Sequence, residues 1–269
     1  QNVLIEESNL WRVADPAAGA GATEALTQAL CEEAWRLFQE TERAGGVIDS
    51  LAAGHLQESI GDIAARRQAA IEKRATPITG TSEFPLLDEA PVKVLTTLDG
   101  HSRPAPLENP GLTVQGLGSE RLAEPFEALR DAADAHTQKT GSRPAVFLAN
   151  LGPVADHTTR ATWIRNLLAA GGIDALSNDG FTESGAVGNA FAQSGATVAC
   201  ICSNDATYET LGEAAAQALK SAGAAHVLLA GKPGEDEKAL RGAGVDEFLY
   251  AGVDVLAELK ALHAKLGVS

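Results

Sequence analysis

The side chains of this chain best equipped for metal, proton or thiol chemistry are six histidines and three cysteines. His101 lies in Asp99-Gly100-His101-Ser102-Arg103-Pro104. A carboxylate two residues before a histidine can bond one ring nitrogen, fix the tautomer and leave the other nitrogen free for a metal. Pro104, Pro106 and Pro110 follow, however, and they block the helix that should carry such a loop onward. His157 stands in Ala155-Asp156-His157-Thr158-Thr159-Arg160, directly after an apolar run at 145–151. There the acid is adjacent instead of two back, and a long cation, Arg160, comes three residues later. A polar residue in the first turn of a helix is the alternative reading of His157, and its neighbours favour it.

The remaining candidates read as structural. His55, His136 and His263 fall on polar helix positions and are expected on solvated faces. His226 opens an apolar run and is expected at an edge. Cys200 and Cys202 alternate along one run, so both face one side; zinc sites use wider spacing and a second ligand pair, which leaves core packing. Gly116-Leu117-Gly118 has no third glycine and no strand before it, so it is linker punctuation and not a phosphate loop. Asn150 and Ser203-Asn204-Asp205 sit at strand ends, where helix capping accounts for them.

Positioning these residues requires a regular framework, and the second half of the chain has one. A helix is expected at 119–139. Apolar runs at 145–151, 173–177, 197–202, 225–230 and 247–251 then alternate with helical segments near 157–170, 182–194, 207–222, 235–243 and 254–266. Short apolar strands alternating with helices mean a parallel sheet covered on both faces. The fold class is α/β, with a flavodoxin-like, doubly wound, five-stranded domain over 119–269. Before it, helices fit 23–44, ended by Gly45-Gly46, and 55–74, closed by Pro77. Residues 77–118 carry six prolines and read as an extended linker with one strand at 92–98.

Composition narrows the setting. The chain has 269 residues, of which 36 are Asp or Glu and 21 Lys or Arg, giving a net charge of −15. That charge disfavours nucleic acid and anionic membrane surfaces. Three cysteines are too few for a disulfide framework and suit a reducing, cytoplasmic setting. A chain that opens on Gln1 and contains no Met reads as a trimmed piece of a longer polypeptide.

Several strings carry a specific likeness: Glu6-Glu7-Ser8-Asn9-Leu10-Trp11-Arg12-Val13-Ala14-Asp15-Pro16, Ala34-Trp35-Arg36-Leu37-Phe38-Gln39-Glu40 and Gly80-Thr81-Ser82-Glu83-Phe84-Pro85. With these, the chain resembles the adenosylcobalamin-dependent acyl-CoA mutases, specifically the methylmalonyl-CoA mutase family. The resemblance implies that residues 1–76 are the tail of a (β/α)₈ barrel with helices, and that 119–269 is like a cobalamin-binding domain. In that family a loop Asp-x-His-x-x-Gly supplies the lower cobalt ligand. Here it is Ala155-Asp156-His157-Thr158-Thr159-Arg160. The Ser-x-Leu after the third strand becomes Cys202-Ser203-Asn204, and where the family has Gly-Gly after the fourth this chain has Ala230-Gly231, then Lys232. The family includes heterodimers whose small subunit keeps the layout without carrying the cofactor. Val146-Phe147-Leu148-Ala149-Asn150-Leu151-Gly152 and the altered motif look most like that small subunit. The resemblance therefore implies a structural, non-catalytic chain partnered by a catalytic large subunit, with adenosylcobalamin in the holoenzyme. The alternative it leaves open is a cobalamin-binding module with His157 or His101 as lower ligand and Cys202, Ser203 and Gly231 lining the tail slot.

Overall fold

The computed structural model describes residues 1–89, 108–118 and 121–268, the side chain of Leu10 excepted. The expected strand at 92–98 and His101 lie outside the described residues. The chain divides into two compact units.

One unit comprises residues 1–62 together with 108–118. Helix α1 spans Gly21–Arg43 and α2 spans Gly46–Ala53; α3, His55–Glu72, begins in this unit. Gly45 (φ 96°) and Gly54 (φ 84°) adopt left-handed backbone on either side of α2, which L side chains rarely tolerate. The stop expected at Gly45 is therefore real, and α2 is an additional helix that periodicity missed because it is only eight residues long. Leu26, Leu30 and Leu37 line one stripe of α1, and Trp35 and Phe38 stack on each other at 5.3 Å further round the helix, yet no residue of α1 is buried.

The other unit comprises 63–89 and 121–268. Its elements are α4 (Glu124–Thr140), β1 (Ala145–Asn150), α5 (Val154–Ala170), β2 (Asp174–Leu176), α6 (Ser184–Ser194), β3 (Val198–Cys202), α7 (Asp205–Thr207), α8 (Glu213–Ser221), β4 (His226–Ala230), α9 (Glu237–Ala243), β5 (Glu247–Leu249) and α10 (Val255–Leu266). The five strands are all parallel, in the order β2-β1-β3-β4-β5. Every residue of β3 and of β4 is buried, which is why these strands read as continuous apolar runs and not as alternating ones. Val146, Leu148, Cys200 and Leu228 point to a core closed by Phe126 of α4, Ile164 and Leu168 of α5 and Leu259 of α10. Phe147, Ala149, Ile201 and Leu229 point the other way, onto Phe191, Leu219 and Leu240 of α6, α8 and α9.

Two local departures from expectation matter. The helix expected at 207–222 is continuous over 205–221 but changes pitch: a one-turn α7 runs into a π-helical turn, Tyr208–Gly212, before α8. A π turn carries an extra residue per turn and re-aims its side chains, and it is often found at functional sites. Residues 78–84 form a tight turn. Its Ile78 carbonyl accepts from the amides of Thr81, Ser82 and Glu83. Glu83, paired with Arg74, accepts from Asn166 Nδ2 at 2.6 Å, and the Phe84 amide donates to Asn166 Oδ1 at 2.7 Å. Among the described residues no helix is long and apolar enough to cross a membrane.

Candidate functional site

In a doubly wound sheet, ligands bind at the carboxyl ends of the strands where the strand order reverses. Here that point lies between β1 and β3, and the connections after β1, β3 and β4 meet there. Arg160, on α5, is the residue that joins them. Its guanidinium donates to the Ser203 carbonyl at 2.8 Å and to Asp205 Oδ1 at 2.6 Å, and its Cζ stands 5.1 Å from the centre of the Tyr208 ring. A Cβ added to Gly231 would meet Arg160 Nη1 at 3.4 Å. The bare glycine therefore faces the guanidinium and not open space. Burial works against the Arg160 charge, but Asp205 and Tyr208 outweigh it and hold the group protonated.

Tyr208 completes the seal from below. Its hydroxyl donates to the Ala230 carbonyl at 2.8 Å, lies 3.2 Å from the Ile201 carbonyl, and accepts the Ser203 amide at 2.8 Å. Burial pushes its ionisation well above the ordinary phenol value, so it remains a neutral donor. Ser203, fully buried, donates its hydroxyl to the Leu151 carbonyl at 2.8 Å. Asn204 caps α7, its Oδ1 accepting the Thr207 amide at 2.8 Å, as expected for a polar cluster at a strand end. Outside Arg160 and Tyr208 lies an open cavity of about 750 Å³, bounded by Leu229, Lys232, Leu240 and the carboxylates of Glu209 and Asp236.

His157 is elsewhere and inaccessible. It is 5% exposed, its Nε2 lies 3.4 Å from the Asp179 carbonyl, and its Nδ1 has no hydrogen-bond partner among the described residues. Gly180 packs against it, and Asn178, on the same loop, bonds the Leu148 carbonyl at 2.6 Å. Asp156 is directed toward Thr207 Oγ1, at 3.4 Å, and not toward the ring. The expectation of a polar first-turn residue holds for position but not for environment. The same correction applies twice more. His263, expected on a solvated face, is buried and donates Nε2–H to the Gly171 carbonyl at 2.7 Å. His226, expected at an edge, opens the interior strand β4 and is 9% exposed. Both reversals come from contacts with residues remote in sequence. His55 is exposed.

The structure thus brings Cys202, Ser203 and Gly231 to one edge of the sheet, but not as a slot. The Cys202 thiol points into the core, 3.9 Å from that of Cys200, and burial pushes the Cys200 thiol up, which keeps it unreactive. Among the described residues no group of three or more His, Cys, Asp or Glu is placed to hold a metal ion. The residues present do not fit adenosylcobalamin, the cofactor that the resemblance implies. A guanidinium fills the ground between Ser203 and Gly231, and the imidazole in the ligand's sequence position is buried against Gly180. In the sequence Arg160 stands out only as a long cation three residues after His157, and Tyr208 does not stand out at all. The available signal was an isolated tyrosine, one of two in the chain, just after a predicted strand.

Comparison with known proteins agrees with this architecture. The family model for methylmalonyl-CoA mutase matches residues 1–139, just over half of the chain. The chain is 44% identical over 267 residues to the methylmalonyl-CoA mutase small subunit of Streptomyces virginiae, covering 99% of this chain and 40% of that protein. It is 41% identical over 270 residues to the probable small subunit of Mycobacterium tuberculosis (strain ATCC 25618 / H37Rv), with the same coverage. To the small subunit of Propionibacterium freudenreichii subsp. shermanii it is 34% identical over 269 residues, covering 99% of this chain and 40% of that protein. The chain therefore spans about two fifths of the length of these relatives. On the family match and the shared sequence along its whole length, the chain belongs to the methylmalonyl-CoA mutase family.

Proposed function

We propose that this chain is the C-terminal part of a small subunit of methylmalonyl-CoA mutase. In this reading it serves a structural role beside a catalytic large subunit that interconverts methylmalonyl-CoA and succinyl-CoA in a cobalamin-dependent holoenzyme. The observation that carries the reading is the Arg160 guanidinium, bonded to Ser203 and Asp205 where a cofactor tail would have to lie. The relatives named as small subunits support it. No catalytic residue is assigned. Residues 1–76 would be the end of a barrel domain, with residues 77–118 as linker. The bare apolar stripe of α1 supports this, since such a stripe normally packs against a neighbouring element. The full chain on its own should therefore bind a hydrophobic dye, and Leu30→Glu with Phe38→Glu should lower that fluorescence. Unchanged fluorescence would remove the support that α1 lends.

The test of the main reading has two arms. Titration with hydroxocobalamin and adenosylcobalamin should leave the visible spectrum unchanged, with nothing retained on desalting. Co-expression with a methylmalonyl-CoA mutase large subunit should recover a complex. A spectral shift of the kind produced by histidine ligation would favour the cofactor-binding alternative, with His157 or His101 as ligand. That alternative has one observation on its side, the Nδ1 of His157 that has no partner among the described residues, but it requires the ring to leave its packing against Gly180.

A further inference from the structure

The turn at 78–84 is braced beyond what a surface loop requires. Ser82 is fully buried, and its hydroxyl accepts the Ile78 amide at 2.9 Å. The Gly80 amide donates to the Glu83 carbonyl at 2.7 Å, and Arg130 Nη1 of α4 donates to the Gly80 carbonyl at 3.1 Å. Arg74, its side chain only 6% exposed, pairs with Glu83, which Asn166 of α5 also holds. Among the described residues three non-glycines have left-handed backbone, and two of them, Arg74 (φ 55°) and Phe84 (φ 52°), flank this ion pair. Such backbone is an outlier for a bulky side chain and persists only where the surroundings over-determine it.

The bracing does not bury Phe84. Its ring is 72% exposed and Leu86 is 65% exposed, whereas Pro85 and Leu87 are half-buried. Arg143 Nη2 grips the Leu87 carbonyl at 3.2 Å, and the exposed acids Asp88 and Glu89 follow directly. An apolar pair held this firmly loses little conformational freedom on docking. An aromatic anchor that fills a desolvated pocket carries a large share of an interface's binding energy. The adjacent carboxylates select a basic surface around that pocket and penalise an acidic one. A second copy of this chain, which brings its own net charge of −15, is therefore a poor match. We propose, resting on the small-subunit reading, that Phe84 and Leu86 form a preorganised docking knob for the large subunit. The knob enters an apolar pocket whose rim carries lysine or arginine to meet Asp88 and Glu89. The left-handed backbone at Phe84 is thus retained for binding and not for folding.

Titration of the full chain with a methylmalonyl-CoA mutase large subunit, beside thermal unfolding of the chain alone, tests this. Asparagine tolerates left-handed backbone, so Phe84→Asn should not lower the thermal midpoint of the chain. Its affinity for the large subunit should nevertheless fall at least about tenfold. Leu86→Ser should weaken the complex in the same direction without unfolding the chain. Asp88→Lys combined with Glu89→Lys should slow association and remove its acceleration at low salt. Wild-type affinity in both Phe84→Asn and Leu86→Ser would overturn the knob and leave the small-subunit reading standing. A loss of affinity that comes only with a lowered thermal midpoint would also overturn it, since a purely structural Phe84 would behave that way. Self-association of the chain that Phe84→Asn abolishes would assign the knob to a second copy and overturn its assignment to the large subunit. Absence of any complex with the wild-type chain would overturn the knob and the small-subunit reading together.

Discussion

Gly180→Ala is expected to lower the unfolding free energy by about 4 kcal/mol, combining backbone strain with forced overpacking. Gly180 has φ +106°, and an added Cβ would sit 2.2 Å from the Gly152 carbonyl oxygen and 3.0 Å from His157 Nε2. None of these neighbours is a flexible side-chain end free to swing away. The loop cannot shift cheaply either. Its Phe181 amide donates to Asn150 O at 2.8 Å, the Gly152 amide donates to Phe181 O at 2.8 Å, and Asn178 grips the Leu148 carbonyl. Urea unfolding of the wild type and variant checks this. A loss below about 1 kcal/mol, the level of an ordinary surface-loop change, would mean that the loop relaxes and that His157 is less firmly enclosed than described.

Tyr208 is expected to show a graded response. Tyr208→Phe keeps the ring but removes the hydroxyl, leaving the Ser203 amide and the Ala230 carbonyl without their partner in a buried site. Orphaned buried groups of this kind cost about 1–3 kcal/mol. Tyr208→Ala also removes the ring, and with it the face on which Arg160 lies, so a total of about 4 kcal/mol is expected. The order of the two variants is the informative result. If Tyr208→Phe matched the wild type, the hydroxyl would not be holding the ends of β3 and β4 together. Because Tyr208 supports Arg160, amide exchange at residues 203–208 should rise in both variants.

The division of labour between sequence and tertiary structure is visible residue by residue. The five strands were legible because β3 and β4 are buried on both faces, which demands uninterrupted apolar runs such as Val198–Cys202 and His226–Ala230. Most helix boundaries were legible because a stripe at 3.6-residue spacing and a left-handed glycine such as Gly45 are local properties. The change from glycine to Arg160 was also plain as a residue identity. What Arg160 does was not, because its partners Ser203 and Asp205 are 43 and 45 residues away and come within reach only when β1 and β3 pair. The histidines make the same point. His263 reads as a polar helix residue until α10 packs its ring onto Gly171, 92 residues earlier. His226 reads as an edge until β5 adds beyond β4, bringing Asp246 and Glu247 against it. Secondary structure is set by neighbours along the chain and is written in local periodicity. Burial, ionisation and the closing of the crevice depend on neighbours across crossovers, whose identity no local pattern records.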